Sequence, residues 1–238
     1  MAKKGNVWLS YFTKGEWALW MASAGMILIS FFLFDRENPL TLIASLIGVT
    51  SLIFNAKGHP FGQLLMVAFS ILYGVVSFTF SYYGEMMTYL GMTAPMAVFS
   101  LISWLRNPYD GGRPEVRVNR LKGREIILML ALAAVITGAF YFVLKAFDTA
   151  NLILSTISVT TSFLAVYLTF RRSAYYAVGY AANDVVLIVL WILAALSDRS
   201  YLSVVICFTV FLVNDLYGFL NWSKMRKRQE SGGERRRR

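Results

Sequence analysis

Eight apolar runs follow one another along this chain with almost nothing between them, and each is about as long as a bilayer is thick. A helix rising about 1.5 Å per residue crosses a hydrocarbon core in roughly 20 residues. The runs are Trp17–Phe34, Leu40–Asn55, Pro60–Tyr83, Met86–Leu105, Glu125–Phe147, Asn151–Phe170, Ala174–Leu196 and Tyr201–Trp222. The second is short and extends toward Gly58. Most connections hold two to five residues, and only Arg106–Arg124 is long. Charged residues make up 15% of the 238, against about 25% in a soluble domain. These observations predict an all-α integral membrane protein of eight transmembrane helices, with no space for a separate soluble domain. They exclude a disordered chain or a coiled coil. Ala22-Ser23-Ala24 has the form of a signal-peptidase site, but the apolar stretch before it is too short and the run continues to Phe34, so the first run reads as a retained span.

Basic residues are sorted by side. With the N-terminus placed inside, Lys3, Lys4, Lys14, Lys57, the six from Arg106 to Arg124 (including Arg113), Arg171, Arg172 and the eight from Lys224 to Arg238 share one face; only Arg36, Lys145 and Arg199 lie on the other. That puts 20 of 23 on one side, and omitting one span would scramble the pattern. The positive-inside rule then predicts a multi-pass protein of the plasma (bacterial inner) membrane with both termini cytoplasmic. The net charge of +10 is thereby accounted for by orientation, not by nucleic acid. Cys207 is the single cysteine and lies in an apolar run, so it reads as a core residue. His59 is the single histidine, in a turn, and reads as solvated. No cofactor and no metal site is expected, and no GxxxxGK[ST] phosphate loop is present.

The spans repeat. Ile47-Gly48-Val49-Thr50-Ser51 in span 2 parallels Ile157-Ser158-Val159-Thr160-Thr161 in span 6, and Trp104 near the end of span 4 parallels Trp222 at the end of span 8. Spans 2–4 and 6–8 therefore read as two three-helix units with span 5 as linker. The separation of four spans makes it a parallel repeat, with a substrate site expected between the units near midplane. The divisions expected are residues 1–39 (tail and extra span), 40–105 (first unit), 106–150 (loop and linker), 151–222 (second unit) and 223–238 (basic tail, read as orienting only).

A charge at the bilayer centre costs about 2.5–3.5 kcal/mol on insertion scales, so polar residues within spans are candidates for function. Asn183 and Asp184 lie ten residues into span 7, and Asn214 and Asp215 lie at similar depth in span 8. These aspartates read as the only deep carboxylates. Helical spacing adds Tyr176, Tyr180 and Trp191 around Asn183, and Tyr217, Gly218 and Asn221 around Asn214. Span 3 contributes Gln63, Ser70, Tyr73 and Ser77. The substrate-binding set is therefore Asn183, Asn214, Gln63, Tyr176, Tyr180, Tyr217, Asp184, Asp215, Trp191 and Tyr73. Each also has a packing reading, since amides and carboxyls link membrane helices; Trp104 and Trp222 read more readily as interfacial anchors. With no Lys or Arg deep in a span, the set suits an uncharged or cationic polar molecule bearing an aromatic ring. Expected partners are that small molecule, the lipid bilayer and a second copy of the chain.

Tyr82-Tyr83-Gly84-Glu85 followed by Ser103-Trp104-Leu105-Arg106, and the stretch Phe211–Trp222 with its Asn214-Asp215-Leu216-Tyr217-Gly218 core, resemble the PnuC-type vitamin transporters. The resemblance covers about residues 40–225. It implies a SWEET-like three-plus-one-plus-three helix bundle with an extra N-terminal helix. It also implies uptake of nicotinamide riboside or a related nucleoside or vitamin such as thiamine, by facilitated diffusion with trapping by a cytoplasmic kinase. Proton coupling through Asp184 or Asp215 is the alternative, and a membrane-embedded enzyme is disfavoured for want of interfacial acidic, His or Lys clusters. The family's seventh span usually carries tryptophans seven and four residues before the asparagine matched by Asn183. Here those positions are Tyr176 and Gly179, which predicts a roomier, more polar pocket.

Overall fold

The helices start where the sequence supplies an initiator. Thr13 and Glu16 form a capping box, the Thr13 hydroxyl accepting from Glu16 N and Glu16 accepting from Thr13 N. Pro39 and Pro60 open the next two helices, where the missing N–H has no helical partner to lose. The computed structural model describes residues 11–79, 82–109, 114–149 and 151–235. Among these, eight helices are long and apolar enough to cross a membrane. They are α1 (Lys14–Phe34), α2 (Pro39–Ala56), α3 (Pro60–Thr79), α4 (Tyr83–Leu105), α5 (Gly123–Ala146), α6 (Leu152–Phe170), α7 (Tyr176–Ala195) and α8 (Leu202–Arg235), the last preceded by a short 3-10 turn, Arg199–Tyr201. Lys3, Lys4, Arg113 and Arg236 to Arg238 lie outside the described residues.

Three features depart from expectation. α4 begins at Tyr83, so Glu85 lies inside a span and not in a connection. Within α4, Tyr89–Thr93 form a π turn in which Ala94 N bonds Tyr89 O. Pro95 cannot donate to the preceding turn, and widening the helix there absorbs the mismatch. Third, α8 does not stop at Trp222. Lys224 to Glu230 are good helix formers with no breaker among them, and the helix continues to Arg235.

Six helices close a ring: α2 packs on α3, α3 on α4, α4 on α6, α6 on α7, α7 on α8, and α8 on α2. The triples α2–α4 and α6–α8 thus meet at two equivalent seams, α4/α6 and α8/α2. α1 lies outside the ring against α2 and α8, where Trp20 Nε1 donates to Thr50 Oγ1. α5 touches chiefly α6. Its Val135 and Phe142 are 68% and 71% exposed, which is uncostly only against lipid tails.

The end of the bundle that carries the long loop, here the basic end, is bound into one layer. Val116 N donates to Gly58 O, Gln229 accepts from Val118 N and donates to Val116 O, and Arg172 donates to Ser103 Oγ and Arg117 O. Ion pairs Arg171–Glu125, Arg228–Glu115 and Arg120–Glu230 add to it. Burial, and next to it the charges of Arg171 and Arg117, hold the Arg172 guanidinium below its ordinary value. His59 is not freely solvated: its ring lies 5.6 Å from Tyr11 and 5.7 Å from Phe54, and burial lowers its pKa.

Candidate functional site

Inside the ring, α6 offers α7 a row of hydroxyls. Asn183 Oδ1 accepts from Thr161 (2.8 Å) and Ser162 (2.9 Å), with Ser158 at 3.5 Å. Three hydroxyls within little more than one turn of α6 thus fix the amide's orientation. Its nitrogen, with two hydrogens, donates to no protein acceptor among the described residues. The same Ser158 hydroxyl lies 3.1 Å from Glu85 Oε1, reaching from α6 across the seam to α4. Glu85 is 1% exposed, and its second oxygen has no hydrogen-bond partner. Beside Asn183, Asp184 meets Asp215 of α8 side chain to side chain. One Asp184 carboxyl oxygen is buried without a hydrogen-bond partner.

Aromatic layers lie on both sides of this group. Toward the basic end, Tyr176 packs 4.9 Å from Trp222, which stands 5.4 Å from Trp104. Each tryptophan is buried and donates its indole N–H to a helix-end carbonyl, Trp104 to Thr169 and Trp222 to Asn55. They are seam residues, not interfacial anchors. Toward the other end, Trp191 donates to Tyr73 (2.9 Å) and packs against Tyr82 (4.6 Å) and Tyr201 (5.5 Å). Tyr73 in turn lies 4.4 Å from Tyr89 of the π turn.

Of the residues expected to bind substrate, the structure brings Asn183, Asp184, Asp215, Tyr176, Tyr180, Tyr73 and Trp191 to this compartment and its two aromatic layers. Three stand elsewhere. Gln63 donates to Asn55 Oδ1 in a chain through Ser51 at the basic end. Asn214 turns its amide nitrogen to Ser23 of α1 (2.9 Å) and to Val210 O, although its Oδ1 is buried without a partner. Tyr217 donates to Glu16 of α1, which also pairs with Lys57.

The expected gap at Gly179 is not there. A Cβ at Gly179 would stand 2.8 Å from Ala165 Cα, so this glycine permits α7 to approach the α6 backbone and opens no pocket. Tyr176 is likewise packed, at 1% exposure. Two further carboxylates, Glu85 and Glu16, are buried as well, each in the first turn of its span. The signal that would have found Glu85 is its place in Tyr82-Tyr83-Gly84-Glu85, one residue before an apolar run. Ser158 and Thr161 were visible only as repeat matches. Among the described residues no group of three or more His, Cys, Asp or Glu is placed to hold a metal ion.

Comparison with known proteins gives a consistent result. A sequence model of the family described as nicotinamide mononucleotide transporter matches residues 38–224. A relative from Neisseria mucosa, the nicotinamide riboside transporter PnuC, is 27% identical over 216 residues, covering 89% of this chain and 82% of its own length. The nicotinamide riboside transporter PnuC of Haemophilus influenzae is 23% identical over 212 residues, covering 88% and 90%. A solved structure described as the vitamin B3 transporter PnuC superposes with a TM-score of 0.82 at 24% identity, covering 94% of this chain and 99% of its own. That last likeness establishes the shared helical fold.

Proposed function

The chain belongs to the nicotinamide mononucleotide transporter family, and from that membership we propose that it takes up nicotinamide riboside by facilitated diffusion. The observation that carries the substrate is Asn183. Its carbonyl is held by α6 hydroxyls and its amide hydrogens are left for an acceptor such as a ring carboxamide. Tyrosines 73, 89, 176 and 180 and the flanking tryptophans offer faces for a flat ring. The two triples, residues 40–105 and 151–222, would rock about the seams so that the compartment opens to one side and then the other. The basic end faces the cytoplasm of a plasma or inner membrane, where a separate kinase traps the product. The rest of the binding set, including Asn214, Gln63 and Tyr217, would join as the seams move.

Titration of the purified protein with nicotinamide riboside, beside thiamine and uncharged nucleosides, tests the ligand; failure of nicotinamide riboside to bind overturns the reading. Uptake by kinase-free proteoliposomes tests the mechanism. The neighbouring buried carboxyls of Asp184 and Asp215, on adjacent helices, favour proton coupling as the second reading, and uptake abolished by a protonophore would establish it. Orientation follows from Arg106→Cys, an exposed loop position in a chain whose native Cys207 is buried. It should label only after permeabilisation.

A further inference from the structure

Glu85 reaches from the first turn of α4 toward the opposite triple, and only one of its oxygens is accounted for. Oε1 accepts from Ser158, while Oε2 is buried and accepts nothing. The described ion pairs of the chain all lie at the basic end, on Lys57, Arg120, Arg171 and Arg228, and none reaches this compartment. Glu85 is not alone in carrying an unused group there. Asn183, 2% exposed and sharing Ser158 with Glu85, has an amide nitrogen that donates to no described acceptor. Tyr89, one helical turn beyond Glu85 in the π segment, lies within electrostatic range of both Glu85 and Asp184. The compartment therefore presents an unused acceptor oxygen of an acid, an unused amide donor and ring faces, with no basic side chain paired to the acid among the described residues.

We propose that Glu85 determines specificity by selecting a singly cationic, carboxamide-bearing ring over the same ring without charge. This rests on the transport reading above and sharpens it. In an N-ribosylated pyridinium the positive charge is spread over the ring, so it is attracted both to tyrosine faces and to a carboxylate at the rim. An uncharged ring keeps the stacking and the amide bond to Asn183 but gains nothing from Glu85. Because Glu85 belongs to one triple and its Ser158 partner to the other, the charge is sensed at the seam that must part for a ligand to enter.

The test compares nicotinamide riboside with its dihydro form, which keeps the ribose and the carboxamide and lacks the positive charge. Both are titrated calorimetrically into the parent, Glu85→Gln and Ser158→Ala proteins. The parent should prefer the cation by roughly tenfold or more, the scale expected of one charge pair at short range in a partly shielded site. Glu85→Gln keeps the side-chain shape and an acceptor for Ser158. It should bring the two affinities within about threefold by weakening the cation alone. Ser158→Ala leaves the charge in place and should preserve the parent's preference. A parent that binds both forms equally, or a Glu85→Gln protein that weakens both equally, overturns the assignment of Glu85 while leaving the transport reading standing. A parent that binds neither overturns both. The parent's own ratio requires no variant, so the inference stays exposed to refutation if Glu85→Gln does not fold.

Discussion

Trp104 and Trp222 stand 5.4 Å apart, and each donates its indole N–H to the penultimate residue of the opposite triple's first helix, Trp104 to Thr169 and Trp222 to Asn55. The repeat noticed as two distant tryptophans is thus one reciprocal contact in space. Each indole is a second donor to a helix-end carbonyl that already accepts a backbone N–H from the following turn, Thr169 O from Arg172 and Asn55 O from Gly58.

Replacing Trp104 or Trp222 by Phe keeps a ring and removes the donor. Losing a buried hydrogen bond of this kind costs about 1–3 kcal/mol, so each variant should unfold at lower temperature in detergent. Because the rings touch, the double variant should deviate from the sum of the two by roughly 0.5 kcal/mol or more. Strict additivity across the thermal melts would mean that the two seams act independently.

Asn183→Ala and Asn214→Ala should separate. The first removes the amide held by Thr161 and Ser162, and the expected result is an affinity for nicotinamide riboside lowered roughly 5- to 150-fold, the equivalent of about 1–3 kcal/mol. The second removes the bond to Ser23 on α1, and its larger effect should fall on thermal stability. Paired melting and titration curves check both. Equal losses of affinity would show that Asn214 contributes to binding as much as Asn183 does.

Gly179→Ala forces a methyl group against the Ala165 backbone. Backbone cannot yield as a side-chain tip can, so a penalty of about 1–3 kcal/mol is expected. Weaker ligand binding should follow, because the displaced α6 face also carries Thr161 and Ser162. Gly138→Ala on α5, where nothing lies within 4 Å, is the control and should be neutral or stabilising by up to about 1 kcal/mol. A Gly179→Ala protein as stable as the control would show that α7 has slack against α6.

Asp35, beyond the end of α1, gives a pH dependence with a defined sign. Burial pushes its carboxyl above the ordinary value and Asp198 adds to this, while hydrogen bonds from Asn38 and Ser203 oppose it. The folded chain therefore holds this proton to higher pH than the unfolded chain does. In the window between the ordinary and the raised value the native state binds more protons, so stability falls as pH rises. Melting temperatures recorded across the mildly acidic range should show that decline in the parent and lose the Asp35 part of it in Asp35→Asn.

What the sequence made legible follows from which properties are local. Span existence depends on the sum of side-chain hydropathies over about 20 residues, and all eight helices were found that way. Glu85 was missed because its place turns on a helix boundary, the least determined feature of any span. Three residues more of α4 carry it from a connection into the buried compartment. Asn214 shows a different limit. Helical spacing puts it on one face with Tyr217, but nothing in the spacing says that this face meets α1 and not α7; the partner on α1, Ser23, is 191 residues away. The continuation of α8 was hidden by its polarity, since a hydropathy criterion ends where the lipid does and a helix need not.

That continuation turns α8 into a rigid lever. Its 34 residues measure about 51 Å at 1.5 Å per residue, well beyond a core of about 30 Å. From Asp215 to Gln229 the arm is about 21 Å, so tilting α8 by about ten degrees around Asp215 would swing Gln229 sideways by nearly 4 Å. The 2.8 Å bond from Val118 to Gln229 cannot stretch that far. Either the strand-like stretch Glu115–Arg120 travels with the helix, or it is released at a definite angle. A pair of spin labels on Arg117 and Arg226 would report, from the water-exposed side, whatever angle α8 takes in the bilayer.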